Sequence, residues 1–244
     1  MGVTAADMRV APVAKSRSHG MWLGLGAFVL LAAMQAWAIS ISVADRDMGH
    51  LQKIMYVHVP AAWNMMIAYF VVAIASLKYL WKGKESDDLL AASAAEAGAL
   101  MTGLLLVLGM IWAKPTWGIW WTWDARLTSS AVLFFIYVGY LILRAFVDDP
   151  DRRAQWSATV GLLGALNVPI VYMSVRWWRT LHQPQSNPGT LDPNYTLGLR
   201  VNAIAVMIIL IWFIRHRYET AKMERIADQM HEKLVLSGRG GINA

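Results

Sequence analysis

The chain has no cysteine and little charge: 16% of its 244 residues are Asp, Glu, Lys or Arg. The missing thiols exclude structural disulfides, thiolate metal sites, thiol catalysis and a covalently attached c-type haem. The scarcity of charge excludes an ordinary soluble domain, in which about 25% of residues are charged. No GxxxxGK[ST] phosphate loop occurs, so any use of ATP has to come from a partner. No internal repeat stands out either. What is present is apolar: 57% of residues are hydrophobic, 13 of them tryptophan.

The apolar residues fall in six blocks, roughly 21–41, 61–80, 91–112, 129–147, 157–175 and 198–214. Each approaches the length of about 20 residues that crosses a bilayer. The fold expected is therefore all-α, a polytopic membrane protein with six transmembrane helices forming one domain over 1–244. Ala36-Trp37-Ala38 mimics a signal-peptidase site, but its apolar run is too long for a signal core, so we read it as an uncleaved span. Of the 22 basic residues, 15 lie on the side that carries the N-terminus, 81–90, 148–156 and the C-terminal tail. Short loops rich in Lys and Arg stay cytoplasmic, so both termini are expected inside. The net charge of +6 then reflects topology, not a nucleic-acid surface. Residues 216–236 are expected to prolong the last helix into the cytoplasm, with Ile226, Met230 and Leu234 at four-residue spacing, and the end "SGRGGINA" to fray.

The outer connections, 42–60, 113–128 and 176–197, hold the unusual chemistry. The second contains "WGIWWTWDARLTS", residues 117–129. As a short interfacial helix started by Lys114-Pro115, it would put Trp117, Trp120, Trp121 and Asp124 on one face and point Trp123 elsewhere. An indole shelf suits a planar hydrophobic ligand. The alternative is an aromatic belt at the membrane interface, the role we assign to Trp22, Trp37, Trp63, Trp81 and Trp212. Asp124 is equally suited to cap the following helix or to pair with Arg126.

Three of the six histidines fall outside. His58 sits in "YVHVPAAW", two residues before Pro60, where the second span begins; His182 sits in "RWWRTLHQP", beyond the fifth. Both are expected at the height of the tryptophan segment. Two neutral imidazoles can hold a haem iron from opposite faces. Arg126, Arg176, Arg179 and Lys114 are the outer cations available to its propionates, and His50 is a spare ligand. Electron-transfer cytochromes bury their ligands within spans. Ligands at the membrane surface favour a site that hands its haem over.

"WGIWWTWDARLTS", "YVHVPAAW" and "WWRTLHQ" together resemble the haem-handling family that carries a tryptophan-rich WWD domain, and within it the CcmC family of system I cytochrome c maturation. The resemblance covers nearly the whole chain. It implies His58 and His182 as axial ligands of a transiently bound haem b. It implies a haem-binding surface of Trp117, Gly118, Trp120, Trp121, Trp123 and Asp124, with Arg126, Leu127 and Thr128 completing the signature. It also implies a non-enzymatic role in the bacterial inner membrane: presenting haem at the periplasmic face to the chaperone CcmE, alongside CcmA, CcmB and CcmD. Two other readings remain open, an exporter permease whose outer motifs are only a gate, and a cytochrome with permanent haem.

Within the spans, Glu96 is expected to reach the cytoplasmic interface or pack in the bundle. Asn167 and Pro169 should mark a kink in the fifth span. Gly98, Gly103, Gly161 and Gly164 suit close helix packing.

Overall fold

The computed structural model describes residues 13–184 and 193–236. The start of the N-terminal segment, the part of the third outer connection that includes Pro188, and the expected frayed tail lie outside the described residues. Among the described residues seven α-helices follow one another: α1 (Val13–Ile41), α2 (Met55–Lys82), α3 (Glu85–Trp117), α4 (Ala125–Phe146), α5 (Pro150–Gly164), α6 (Asn167–Trp177) and α7 (Pro193–Leu236), with a short 3-10 turn at His50–Ile54. They make six stretches long and apolar enough to cross a membrane, α5 and α6 together forming one of them. As expected, α7 carries the last span onward through residues 216–236.

The prolines explain where the helices bend. Asn167 and Pro169 lie at the break between α5 and α6, and the Asn167 amide donates to the Ser129 carbonyl at 2.9 Å. The loose backbone is thus tied to α4, as hydrogen-bond accounting inside a membrane demands. Pro60 sits inside α2 and removes the N–H that would bond the Tyr56 carbonyl. Gln35 of α1 fills that place, its amide donating to the Tyr56 carbonyl at 2.8 Å. The helix therefore continues through Pro60 and starts at Met55, which puts His58 within α2 and not, as expected, in a loop before it.

The core is built from small residues and buried tyrosines. Tyr69, Tyr137 and Tyr140 pack among Ala61, Ala68, Ala94 and Ala97. The Tyr137 hydroxyl donates to the Met65 carbonyl at 2.7 Å. Gly98 faces the Tyr137 ring, Gly161 faces Ser76 and Gly164 faces the Tyr69 hydroxyl, each too closely for a Cβ. Gly103 is different: a Cβ there would meet Phe134 at an ordinary 3.4 Å. Trp212, expected in the belt, instead joins α7 to α1: it covers Gly24 and donates to the Gly20 carbonyl at 2.8 Å.

The two ends of the bundle differ. At one end, Asp88 of α3 binds Arg144 of α4 through two bonds of 2.5 and 2.9 Å. Lys78 of α2 pairs with Asp87 at 3.5 Å, and Arg225 of α7 pairs with Glu85. Glu96 pairs with Arg217 of α7, so it packs between helices with part of its surface exposed. The opposite end carries the 3-10 turn, the tryptophan segment and residues 178–184, and it opens into a cleft.

Candidate functional site

The tryptophan segment is not a helix. Gly118 takes φ +77° and its N–H closes back on the Lys114 carbonyl, which ends α3 at Trp117. Lys114 and Pro115 therefore finish a helix rather than start one. Residues 118–124 run as bends and irregular chain to Asp124, where α4 begins. The expected common face of Trp117, Trp120, Trp121 and Asp124 does not exist. The positive φ of Gly118 turns the chain before a second helical turn can form.

This break sorts the indoles into two groups. Trp117 and Trp121 line the cleft, as do Trp112 and Trp63. Trp120 and Trp123 are 56% and 79% exposed and do not line it. Trp121 holds Trp123 edge-to-face at 5.5 Å, and Trp112 holds Trp117 in the same way at 5.1 Å. Gly118 is exposed at the turn.

The cleft encloses about 1270 Å³, its open mouth included. Its walls come from α2, α3, α4 and α6, and residues 182–184 close one side. Met55, Met65, Met66 and Met110 give it soft, adaptable apolar walls. His58 and His182 both line it, their ring centres 6.4 Å apart and their planes inclined by 27°. An imidazole nitrogen lies about 1.1 Å from its ring centre and a metal–imidazole bond measures about 2 Å. Two rings bound to opposite sides of one metal thus have centres about 6 Å apart. The observed pair matches that spacing.

Each imidazole is held by its surroundings. His58 packs against Gly109 of α3, where a Cβ would lie 3.3 Å from the ring, and its Nδ1 is buried without a hydrogen-bond partner. His182 Nδ1 lies 2.8 Å from the Gln183 carbonyl. With the proton on Nδ1 donated there, the Nε2 lone pair is left for a metal. Although part of its surface faces the cleft, His182 is crowded by protein. That desolvation holds its pKa below the ordinary histidine value; the Gln183 carbonyl opposes it, Arg126 adds to it, and Asp124 opposes it. His50 lies in the 3-10 turn and does not line the cleft.

Asp124 acts on backbone. One carboxylate oxygen accepts the Leu127 N–H at 2.9 Å and caps α4. The other accepts the Leu181 N–H at 3.1 Å, one residue before His182. Asp124 does not line the cleft, and no ion pair to Arg126 is present among the described residues. Of the four described cations expected to meet propionates, Arg126 lines the cleft. Its Nη2 donates to the Tyr172 carbonyl at 3.4 Å, while its Nε is buried without a partner. Lys114 donates to the Gly118 carbonyl at 2.9 Å and caps its own helix end. Arg176 and Arg179 do not line the cleft.

Sequence reasoning missed Trp63, Trp112, Gly109 and the methionines. Trp63 was assigned to the belt, yet it lies one and a half turns beyond His58 on the same helix and reaches the cleft wall. Five residues turn about 140° around a helix, so spacing put the two on different faces and gave no signal. Gly109 offered none, because its contact with His58 joins residues 51 positions apart in the chain.

Comparison with known proteins returns one consistent family. Residues 5–233 match the family model described as CcmC, Heme exporter protein C. The chain is 41% identical over 194 residues to Heme exporter protein C of Bradyrhizobium diazoefficiens, covering 78% of this chain and 73% of that one. It is 35% identical over 222 residues to Heme exporter protein C of Escherichia coli K12, covering 89% and 90%. A ccmC-like mitochondrial protein of Marchantia polymorpha, whose name mentions cytochrome c biosynthesis, is 42% identical over 157 residues, covering 64% and 66%.

Proposed function

The chain belongs to the CcmC family of heme exporter proteins, and from that premise we propose that it binds haem b between His58 and His182 and presents it to the haem chaperone CcmE. It is a multi-pass membrane protein with a role in haem handling for cytochrome c maturation. The cleft lies on the periplasmic side of the bacterial inner membrane in this reading, and CcmA, CcmB and CcmD complete the complex that uses ATP. The observation that carries the proposal is the pairing of two histidines, 124 positions apart in sequence, across one apolar cleft at ligand spacing.

The residues divide the work. His58 and His182 supply the axial nitrogens. Trp63, Trp117 and Trp121 bury the flat faces and edges of the porphyrin, and Arg126, its Nε unsatisfied, offers a cation to a propionate. Trp120 and Trp123 stand exposed and provide the apolar surface on which an acceptor docks. Two neutral imidazoles retain the cargo, and the open mouth lets a competing ligand in. The chain has no thiol to bond haem covalently, so release would require that both imidazoles give up the iron.

The test is spectroscopic. Purified protein loaded with haem should show a six-coordinate, low-spin absorption spectrum. His58→Ala and His182→Ala should each lose it, and unchanged spectra in both would end the ligand assignment. Trp123→Ala should keep the spectrum and slow transfer to the chaperone; loss of the spectrum would instead put Trp123 among the haem-holding groups.

A further inference from the structure

Asp124 is the acid of the "WTWD" run, yet it does not face the cleft. Its two oxygens are both committed, one to the Leu127 N–H at the start of α4 and one to the Leu181 N–H. Residues 178–184 carry His182 with no helix of their own: α6 ends at Trp177 and the chain is irregular to residue 184. Among the described residues the other polar ties of this stretch are local, apart from one weak contact. The Thr180 hydroxyl donates to the His182 carbonyl at 3.1 Å, and the His182 ring bonds to Gln183. Gln183 touches the Met48 sulfur at 3.9 Å, a weak contact. The Asp124–Leu181 bond is a charge-assisted link from this stretch to a transmembrane helix.

We propose that Asp124 is a positioning residue for His182: its carboxylate staples the irregular 178–184 segment to the N-terminus of α4 and so fixes where the second imidazole stands. It acts through Leu181 and touches no haem. This inference rests on His182 being an iron ligand, and it redefines Asp124 within that reading from a haem contact to a backbone clamp. The geometry explains why an acid suits the position. Capping alone is served as well by Ser or Asn, but here the two N–H groups arrive from two segments and are taken by two separate oxygens. A carboxylate has them; an amide or a hydroxyl has one oxygen.

The experiment uses the full-length protein, haem-loaded, with five variants. Asp124→Ser keeps a good helix cap but is too short to reach Leu181. Leu181→Pro deletes the N–H and leaves Asp124 and the α4 cap intact. Each should convert much of the six-coordinate spectrum to five-coordinate and speed haem loss about tenfold, the scale of one charge-assisted hydrogen bond. Added imidazole should restore six-coordination in both, as it should in His182→Ala. The double variant Asp124→Ser/Leu181→Pro should be no worse than either single, because one bond is lost in all three. Asp149→Ala removes the equivalent cap of α5, where Asp149 accepts the Arg152 N–H at 2.7 Å, and should lower thermal stability without touching the spectrum.

A wild-type spectrum in Asp124→Ser, additive losses in the double variant, or a normal spectrum in Leu181→Pro would overturn the clamp. The last result with a lost spectrum in Asp124→Ser would mean that Asp124 meets haem directly. An unchanged spectrum in His182→Ala would instead remove the ligand reading on which the clamp depends.

Discussion

The ligand role proposed for His182 rests on one hydrogen bond and on the crowding of its ring. The Gln183 carbonyl takes the Nδ1 proton, so the lone pair sits on Nε2, and crowding by protein keeps the ring neutral. The sign of the pH dependence follows. The folded pKa is lowered, so between that value and the ordinary one near 6.5 the unfolded chain binds a proton that the folded chain does not. The contribution of His182 to stability is complete above about 6.5 and is lost as pH falls through the lowered value. Haem retention should follow: constant from about pH 8 down to about 6.5, then falling. Titrating the six-coordinate absorbance against pH checks this, and half-loss at or above about 6.5 would contradict it.

Among the elements, α2 and α3 set the other half of the site. Pro60 would normally disrupt a helix, but Gln35 replaces the missing backbone bond and keeps the first turns of α2 straight enough to carry His58. Across from it, Gly109 lets α3 come close to the imidazole. Gly109→Val should therefore drive the His58 ring from its place, with a mixed-coordination spectrum and haem loss faster by about tenfold, the cost of overpacking a tight contact being about 1–3 kcal/mol. Gly103→Val, on the same helix with ordinary clearance, serves as its comparison. Equal spectra for the two variants would show that α3 does not constrain His58.

The whole molecule is polarised. One end gathers Lys78, Asp87, Asp88, Arg144, Glu85 and Arg225 into ion pairs, and the other holds the cleft. From the charge asymmetry of the connections we expect the ion-paired end in the cytoplasm. Because the chain has no cysteine, that orientation is open to single-cysteine labelling. In intact cells a membrane-impermeant maleimide should modify Asp47→Cys, and should reach Lys84→Cys only after permeabilisation. Labelling of both from the same side would break the topology on which the periplasmic site depends.

Composition and blocks of apolar residues were enough to reveal six spans, the long extension of the last helix beyond its span, and the kink at Asn167. These are properties of local hydrophobicity and proline chemistry, and they survive in any tertiary context. The two histidines were legible as well, because each stands beside a recognisable motif. The form of the tryptophan segment was not: helical spacing suggested one continuous face, and the left-handed turn at Gly118 cancelled it. Which indoles line the cleft, the contact of Gly109 with His58, and the second bond of Asp124 were decided by folding alone. Each joins segments tens of residues apart, and periodicity along the chain carries no record of which distant backbone N–H or ring will arrive opposite a given side chain.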